Sequence, residues 1–486
     1  MQRTEVDGVP VFWVQGPEPL TATLVFRAGV RDETFRTRGI SHLVEHLAMS
    51  RLGRRLHEYN ASVDLTFTQF TATGRAGLVS SYLALVCDAV RDLPMDRLGI
   101  EAKILRAEDA DPAHPAVSAH LCHRYGFRGV GLAGSTPPVI DQIEAGAVIE
   151  FVARHFTRDN AALALTGRPP DDLRLDLPAG NRTPLPPNPV CDLPLPGWFA
   201  MDGPATGLSL IVDADEPESR EATLAVLRIA TERAIEELRH RNGWIYHVDF
   251  ELVRTPDHSV VVFHADPPAE HAEDVRRGLM DILRGLRDTG PTDAELADDL
   301  AEMRERFADP RVAEPATSFA ASAHLLDAPV QTVSDRLALR ETVSAEDCRQ
   351  VLRQLESTLI VGMPPDVEPS DKTLHAEPEF STTALAGRTF RRRLFAGLVG
   401  GPPRGSHLTV GTDGLTLMMP GGPRTIRWDG LVGAGRNEEF GATILVGSDC
   451  QSIPMAARWF HHGRDAMRLV DSRIPADLRF TDRATT

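Results

Sequence analysis

The chain has 486 residues, and its 52 Lys+Arg against 69 Asp+Glu leave a formal net charge of −17. That length suffices for about three domains, each burying its own core, and 42% hydrophobic with 25% charged residues excludes a disordered or fibrous chain. The acidic excess argues against nucleic acid as the main partner, because phosphate binding needs a basic footprint.

Residues 1–7 are charged and lead into no apolar h-region. No run of about 18 apolar residues follows anywhere, so no membrane span and a cytoplasmic location are expected. Residues 21–26 (Thr-Ala-Thr-Leu-Val-Phe) read as a strand, and 39–48 carry apolar residues at helical spacing. The stretch 178–198 holds seven prolines and reads as a linker. Beyond it come a strand at 208–212, a helix at 220–241, a buried strand at 260–264 and a helix at 272–287 stopped by Gly290-Pro291. A second linker, 364–387, is rich in Pro, Ser, Thr and acidic residues. After it, short strand-like runs at 408–410, 415–418, 424–428 and 443–446 alternate with Gly, Pro and Asp turns, and a helix at 463–471 closes the chain. This layout predicts domains at 1–180, 195–365 and 385–486: two α+β halves of similar architecture, then a β-rich unit. From Leu385 onward 14 Arg face 9 Asp+Glu, a net of +5, so the first 384 residues carry −22. The five cysteines, Cys87, Cys122, Cys191, Cys348 and Cys450, are odd in number and widely spaced. They indicate neither a disulfide framework nor a Cys-based zinc site.

The strongest chemical signal is His42-Leu43-Val44-Glu45-His46. On a helix, i and i+4 lie one above the other, so both imidazoles can share one metal ion. Glu45 sits on the same side, and a carboxylate there can take a proton from a water acidified by zinc. The order H-x-x-E-H inverts the familiar H-E-x-x-H; taken alone, it also suits a surface helix with two histidines. A zinc site needs a third ligand. Glu101 and Glu108 lie two helical turns apart on one face, although such a pair is also the signature of a solvated surface. The run from Asn60-Ala61 to Phe70 reads as strand, and pattern alone equally fits an ordinary half-buried one. Arg239 reads as a helix-end cation and Tyr246 as a strand residue. His120, His123, His461 and His462 read as surface or satisfied polar groups, and Arg391-Arg392-Arg393 as a solvated cluster at a domain boundary.

Together with Phe26-Arg27-Ala28-Gly29-Val30-Arg31-Asp32-Glu33 and Gly39-Ile40-Ser41 ahead of the metal motif, these elements resemble the pitrilysin (insulinase-like) peptidase family. The likeness is to its short, mitochondrial-processing-peptidase-like form and covers roughly residues 5–360. It implies an α+β fold of two similar α/β-sandwich domains, each a mixed sheet with helices. It also implies one Zn²⁺ per chain on His42, His46 and Glu108, with Glu101 supporting the site and Glu45 as the base. The stretch between His46 and Glu108 is shorter than the family usually shows. By the same resemblance, Asn60 and Ala61 lie on a strand whose open edge the peptide substrate joins. Arg239 and Tyr246, matching the family's Arg-x6-Tyr element, hold the peptide and its oxyanion. The third domain resembles a PH-like β-barrel capped by a helix.

Family members enclose peptides between two two-domain halves, and this chain supplies one such pair. The resemblance therefore implies a homodimer, or a heterodimer with a homologous subunit, in which Arg239 and Tyr246 of one subunit complete the zinc site of the other. The implied function is a zinc-dependent endopeptidase that cleaves unfolded peptides or leader segments inside a dimeric chamber. The alternative is a non-catalytic scaffold or peptide-binding subunit, since some members have lost activity. Acidic walls would favour basic peptides.

Overall fold

The computed structural model describes residues 1–52, 58–108, 113–135, 140–438 and 441–481. The first third forms strands β1 (Gln2–Val6), β2 (Val9–Trp13) and β3 (Leu20–Phe26), helix α1 (Ile40–Ser50), and strands β4 (Glu58–Val63) and β5 (Thr68–Gly74). Helices α2 (Ala76–Arg91), α3 (Leu98–Glu108), α4 (Pro115–Tyr125) and α5 (Ala145–His155) follow, and β6 (Ala161–Leu165) ends it. The six strands make one sheet in the order β1-β2-β6-β3-β5-β4. Only β2 and β6 run parallel within it.

The second third repeats this plan. Strands β7 (Gly197–Ala200) and β8 (Thr206–Val212) precede α6 (Pro217–Ala234), whose last stretch, Ile235–Arg241, widens into a π-helix. Strands β9 (Val248–Arg254) and β10 (Ser259–Ala265) follow, then α7 (Ala272–Thr289), α8 (Asp293–Ala308), α9 (Ala313–Leu325) and α10 (Val333–Thr342). The short α11 (Ala345–Val351) and α12 (Leu355–Thr358) lead to β11 (Ile360–Met363) and β12 (His375–Ala376). Five strands of the sheet β12-β7-β11-β8-β10-β9 match the first sheet position for position, with β7 and β11 parallel as β2 and β6 are. The outermost differs, since β12 ends its sheet in chain order and runs parallel to β7 where β1 begins its own and runs antiparallel to β2. Because β12 pairs with β7, the second sheet reaches Ala376 and takes its outermost strand from the stretch expected to be a linker.

Period-two alternation explains how each sheet is sandwiched. On β3 and β6, Leu24, Phe26, Leu163 and Leu165 face the first half's own helices, while Val25, Ala162 and Ala164 face the other way and meet Ala320, Ala321 and Leu325 of α9. On the second sheet, Val261 and Phe263 face their own helices, while Val260 and Val262 join Val117 and Leu121 of α4. Each half thus lends one helix to the outer face of the other's sheet. Small residues at the α9 contact let helix and sheet approach closely. Arg124 of α4, fully buried, fastens this seam by donating to the carbonyls of Ser209 and Thr358, at 3.0 and 2.9 Å.

The last third holds two four-stranded sheets. One orders β13 (Arg388–Arg391), β14 (His407–Val410), β15 (Gly414–Met419) and β16 (Gly422–Arg427). The other runs β19-β18-β17-β20, from β17 (Leu431–Asn437), β18 (Ala442–Gly447), β19 (Ser452–Met455) and β20 (Arg479–Thr481). They meet where β16 contacts β18 and β19, and α13 (Gly463–Asp471) packs on β14. The unit docks on the first third through Phe480 against Phe35 and through the Phe127 N–H, which donates to the Ser448 carbonyl at 2.9 Å. Among the described residues no helix is long and apolar enough to cross a membrane.

Candidate metal centre

Helix α1 is set by what precedes it. Gly39, at φ +95°, takes the left-handed turn that starts the helix. The buried Glu33 carboxylate accepts from the Gly39 N–H at 2.8 Å and the Ser41 N–H at 2.9 Å, satisfying donors that the first turn leaves open. Arg38 lies 3.5 Å from the same carboxylate. Gly29 is needed for space, because a Cβ there would sit 2.6 Å from the Thr66 nitrogen. With Leu43, Val44 and Leu47 buried in the core, the opposite face of α1 carries His42, Glu45 and His46.

Those three side chains meet Glu101 and Glu108 of α3. The imidazoles of His42 and His46 stand edge to face, 4.9 Å between ring centres. The His46 Nε2 lies 3.2 Å from Glu108 Oε2, and donor atoms of His42, His46 and Glu108 all fall within 4.8 Å of one another. Glu45 Oε2 is 3.4 Å from His42 Nε2 and 3.9 Å from His46 Nε2. Glu101, buried, faces His46 Nδ1 at 3.5 Å through one oxygen and receives Arg97 on the other, at 2.6 and 2.9 Å. A proton held on Nδ1 by Glu101 leaves the Nε2 lone pair toward Glu108 and Glu45.

The electrostatics suit a cation. Burial, and then the neighbouring Glu108 and Glu101, push the Glu45 carboxyl up to about 8. Burial and then His46 push His42 down to about 4, which keeps its imidazole neutral and free to ligate. Two imidazoles and a carboxylate are a borderline-soft donor set matched to zinc. The three donor atoms, within 4.8 Å of one another, lie close enough together to hold one such ion.

Strand β4 lies at the sheet edge and pairs only with β5 among the described residues, in the register Asn60 to Thr71 and Ala61 to Phe70. Asn60 is exposed and Ala61 half-buried. Tyr82 of α2 donates to the Asn60 carbonyl at 3.0 Å. Its phenol is held well above the usual range by burial, then by Glu45. Arg239 lies in the π-helical turn, with its guanidinium 5.1 Å from the centre of the Tyr246 ring. Tyr246 precedes β9 instead of lying within a strand, and is 77% exposed. The structure pairs these two residues but gives neither a hydrogen bond or ion pair to the His42 cluster.

Three contributors were given no role of their own by the sequence reading. Arg97 was findable, because it precedes Glu101 by one helical turn. Glu33 lies in the quoted stretch ahead of the metal motif but gave no sign of its capping role, and Tyr82 had no local signal, since each acts across a turn that only the fold closes. His120 is interior, with Nδ1 3.1 Å from Ser209 Oγ.

No family model matches the sequence, and no curated protein does. The fold, in contrast, has solved relatives. It is similar to a protease from Helicobacter pylori at 15% identity, covering 75% of this chain and 99% of that one, with a TM-score of 0.64. It is also similar to a peptidase M16 inactive domain from Pseudomonas fluorescens (16%, 76% and 99%, TM-score 0.60). A third is the first half of the periplasmic protease PqqL from Escherichia coli (14%, 75% and 92%, TM-score 0.56). At these identities the likeness establishes the fold: an α+β, insulinase-type arrangement of paired domains, here with a β-rich C-terminal region.

Proposed function

We propose that this chain is a zinc-dependent endopeptidase acting on unfolded peptides or leader segments. One observation carries the reading: His42, His46 and Glu108 converge from two helices, with the Glu45 carboxylate against the same imidazoles. Zinc in this donor set would supply Lewis-acid polarisation of the scissile carbonyl and an acidified water. Glu45, its carboxylate among the ligands, would accept a proton and deliver it to the leaving amine. Glu101 and Arg97 would hold the His46 ring in place. The open edge of β4, at Asn60 and Ala61, would take the peptide as an added strand, whose backbone pairing tolerates many sequences. Arg239 and Tyr246 would bind the peptide and its oxyanion from a second subunit, a homologous chain or another copy of this one.

The test is cleavage of an unstructured peptide by the purified chain, after chelation and after zinc is restored. Activity lost with the chelator and regained with zinc supports the reading. A chain that binds the peptide but never cleaves it supports the scaffold alternative, which the inactive domain among the structural relatives keeps in view.

A further inference from the structure

The C-terminal domain carries a surface feature unrelated to the metal cluster. Residues 380–412 include five arginines, Arg388, Arg391, Arg392, Arg393 and Arg404, and no acid. Within that stretch, Leu394, Phe395 and Leu398 are 69, 68 and 84% exposed, with Val399 beside them. Singly exposed apolar residues are ordinary; four within six positions at one loop are not.

This loop is built. Ala396 is buried beneath it, and the Trp459 indole donates to the Val399 carbonyl at 3.0 Å. Arg392 turns inward, donating to the carbonyls of Pro402, Arg393 and Leu394 at 2.6, 2.8 and 3.1 Å. The Arg393 N–H donates to the Trp459 carbonyl and the His461 N–H to that of Arg391, both at 2.8 Å, which ties the loop to the segment before α13. The apolar tips are therefore presented by a braced turn, and no described residue covers them. Beside the tip, Arg391, Leu394, Arg404, His407 and His461 line one shallow concavity.

We propose that this loop docks the protein on an anionic phospholipid bilayer. Its convex apolar tip suits the headgroup–acyl boundary, which accepts protruding side chains without a matching groove. The cations around it suit lipid phosphates: Arg388 is held by Asp465 of α13 at 3.7 Å and Arg392 turns inward, which leaves Arg391, Arg393 and Arg404 to face a negative surface. The adjoining concavity, cationic with one apolar wall, has the polarity of a phospholipid headgroup site. The net of +5 on this domain, against −22 on the rest, would orient the molecule with its C-terminal face toward the membrane.

Co-sedimentation of the full chain with vesicles of phosphatidylcholine alone, or with equal parts phosphatidylglycerol, tests this. Binding is expected only to the anionic vesicles, weakening as salt is raised. The paired change Phe395→Ser and Leu398→Ser, at exposed sites that leave the fold intact by circular dichroism, should lower partitioning ~10-fold or more. Arg391→Ser with Arg404→Ser should lower it ~5-fold per arginine. Glu45→Gln should bind as wild type does, which separates this proposal from the peptidase reading. No binding to anionic vesicles, or equal binding by the apolar variant, overturns it. So does wild-type self-association that the serine changes abolish while vesicles are ignored, which would make the loop a contact between copies of the chain.

Discussion

Glu101 and Glu108 look alike in the sequence, yet one is buried between Arg97 and His46 and the other stands half-exposed beside His46 Nε2. Their substitutions should therefore separate. Glu108→Gln removes one of the three proposed ligands, whereas Glu101→Gln keeps all three and should weaken zinc binding by ~10–100-fold. Competition with a chromophoric chelator measures both. His155 offers a pH test away from the metal. Burial, followed by Arg27 and Arg154, pushes it down to about 3. The unfolded chain takes up that proton near pH 6.5 and the folded one does not, so the stability contribution is present above about 6.5 and is lost as pH falls toward the folded value. Urea midpoints of wild type and His155→Gln should diverge accordingly below pH 6.5, wild type losing up to about 1.4 kcal/mol per pH unit relative to the variant. His42, Glu45 and His46 were legible from spacing alone, because helical periodicity places i and i+4 together whatever surrounds them; Glu108 was assigned only through the family resemblance, since its own spacing fits a solvated face equally well. Glu33 and Tyr82 were not legible, because their partners at Ser41 and Asn60 are brought to them by tertiary closure.

Helix α1 can present its His42–Glu45–His46 face only if its first turn is fixed, and Glu33 fixes it. Glu33→Ala leaves Arg38 without its buried partner and should cost about 3–5 kcal/mol in urea unfolding. Strand and helix positions such as β10, α7, β15 and α13 follow from alternation, 3.6-residue spacing and Gly/Pro stops, and the sequence reading placed them within a few residues. The exchange of α4 and α9 between halves could not be read that way. An amphipathic stripe reports that a helix is half-buried, and says nothing of which sheet buries it. The same limit hid β12, whose two residues are too short for any periodic signal.

For the whole molecule, one pair of insulinase-type domains with an exposed Arg239–Tyr246 pair makes the proposed sharing of sites between subunits testable. If subunits share sites, Glu45→Gln and Tyr246→Phe are each inactive alone, and mixing them places both lesions in one site while leaving the other intact. An equimolar exchanged mixture should then recover about a quarter of wild-type activity. No recovery would place both functions within one chain. The charge division of −22 and +5 should also appear in kinetics, as kcat/KM for basic peptides that falls with salt. The most direct measurement is zinc content beside peptide cleavage in wild type and Glu45→Gln. One zinc per chain in both proteins, with cleavage in wild type only, is the expected result. Zinc-free wild-type protein, or equal cleavage by the two, would contradict it.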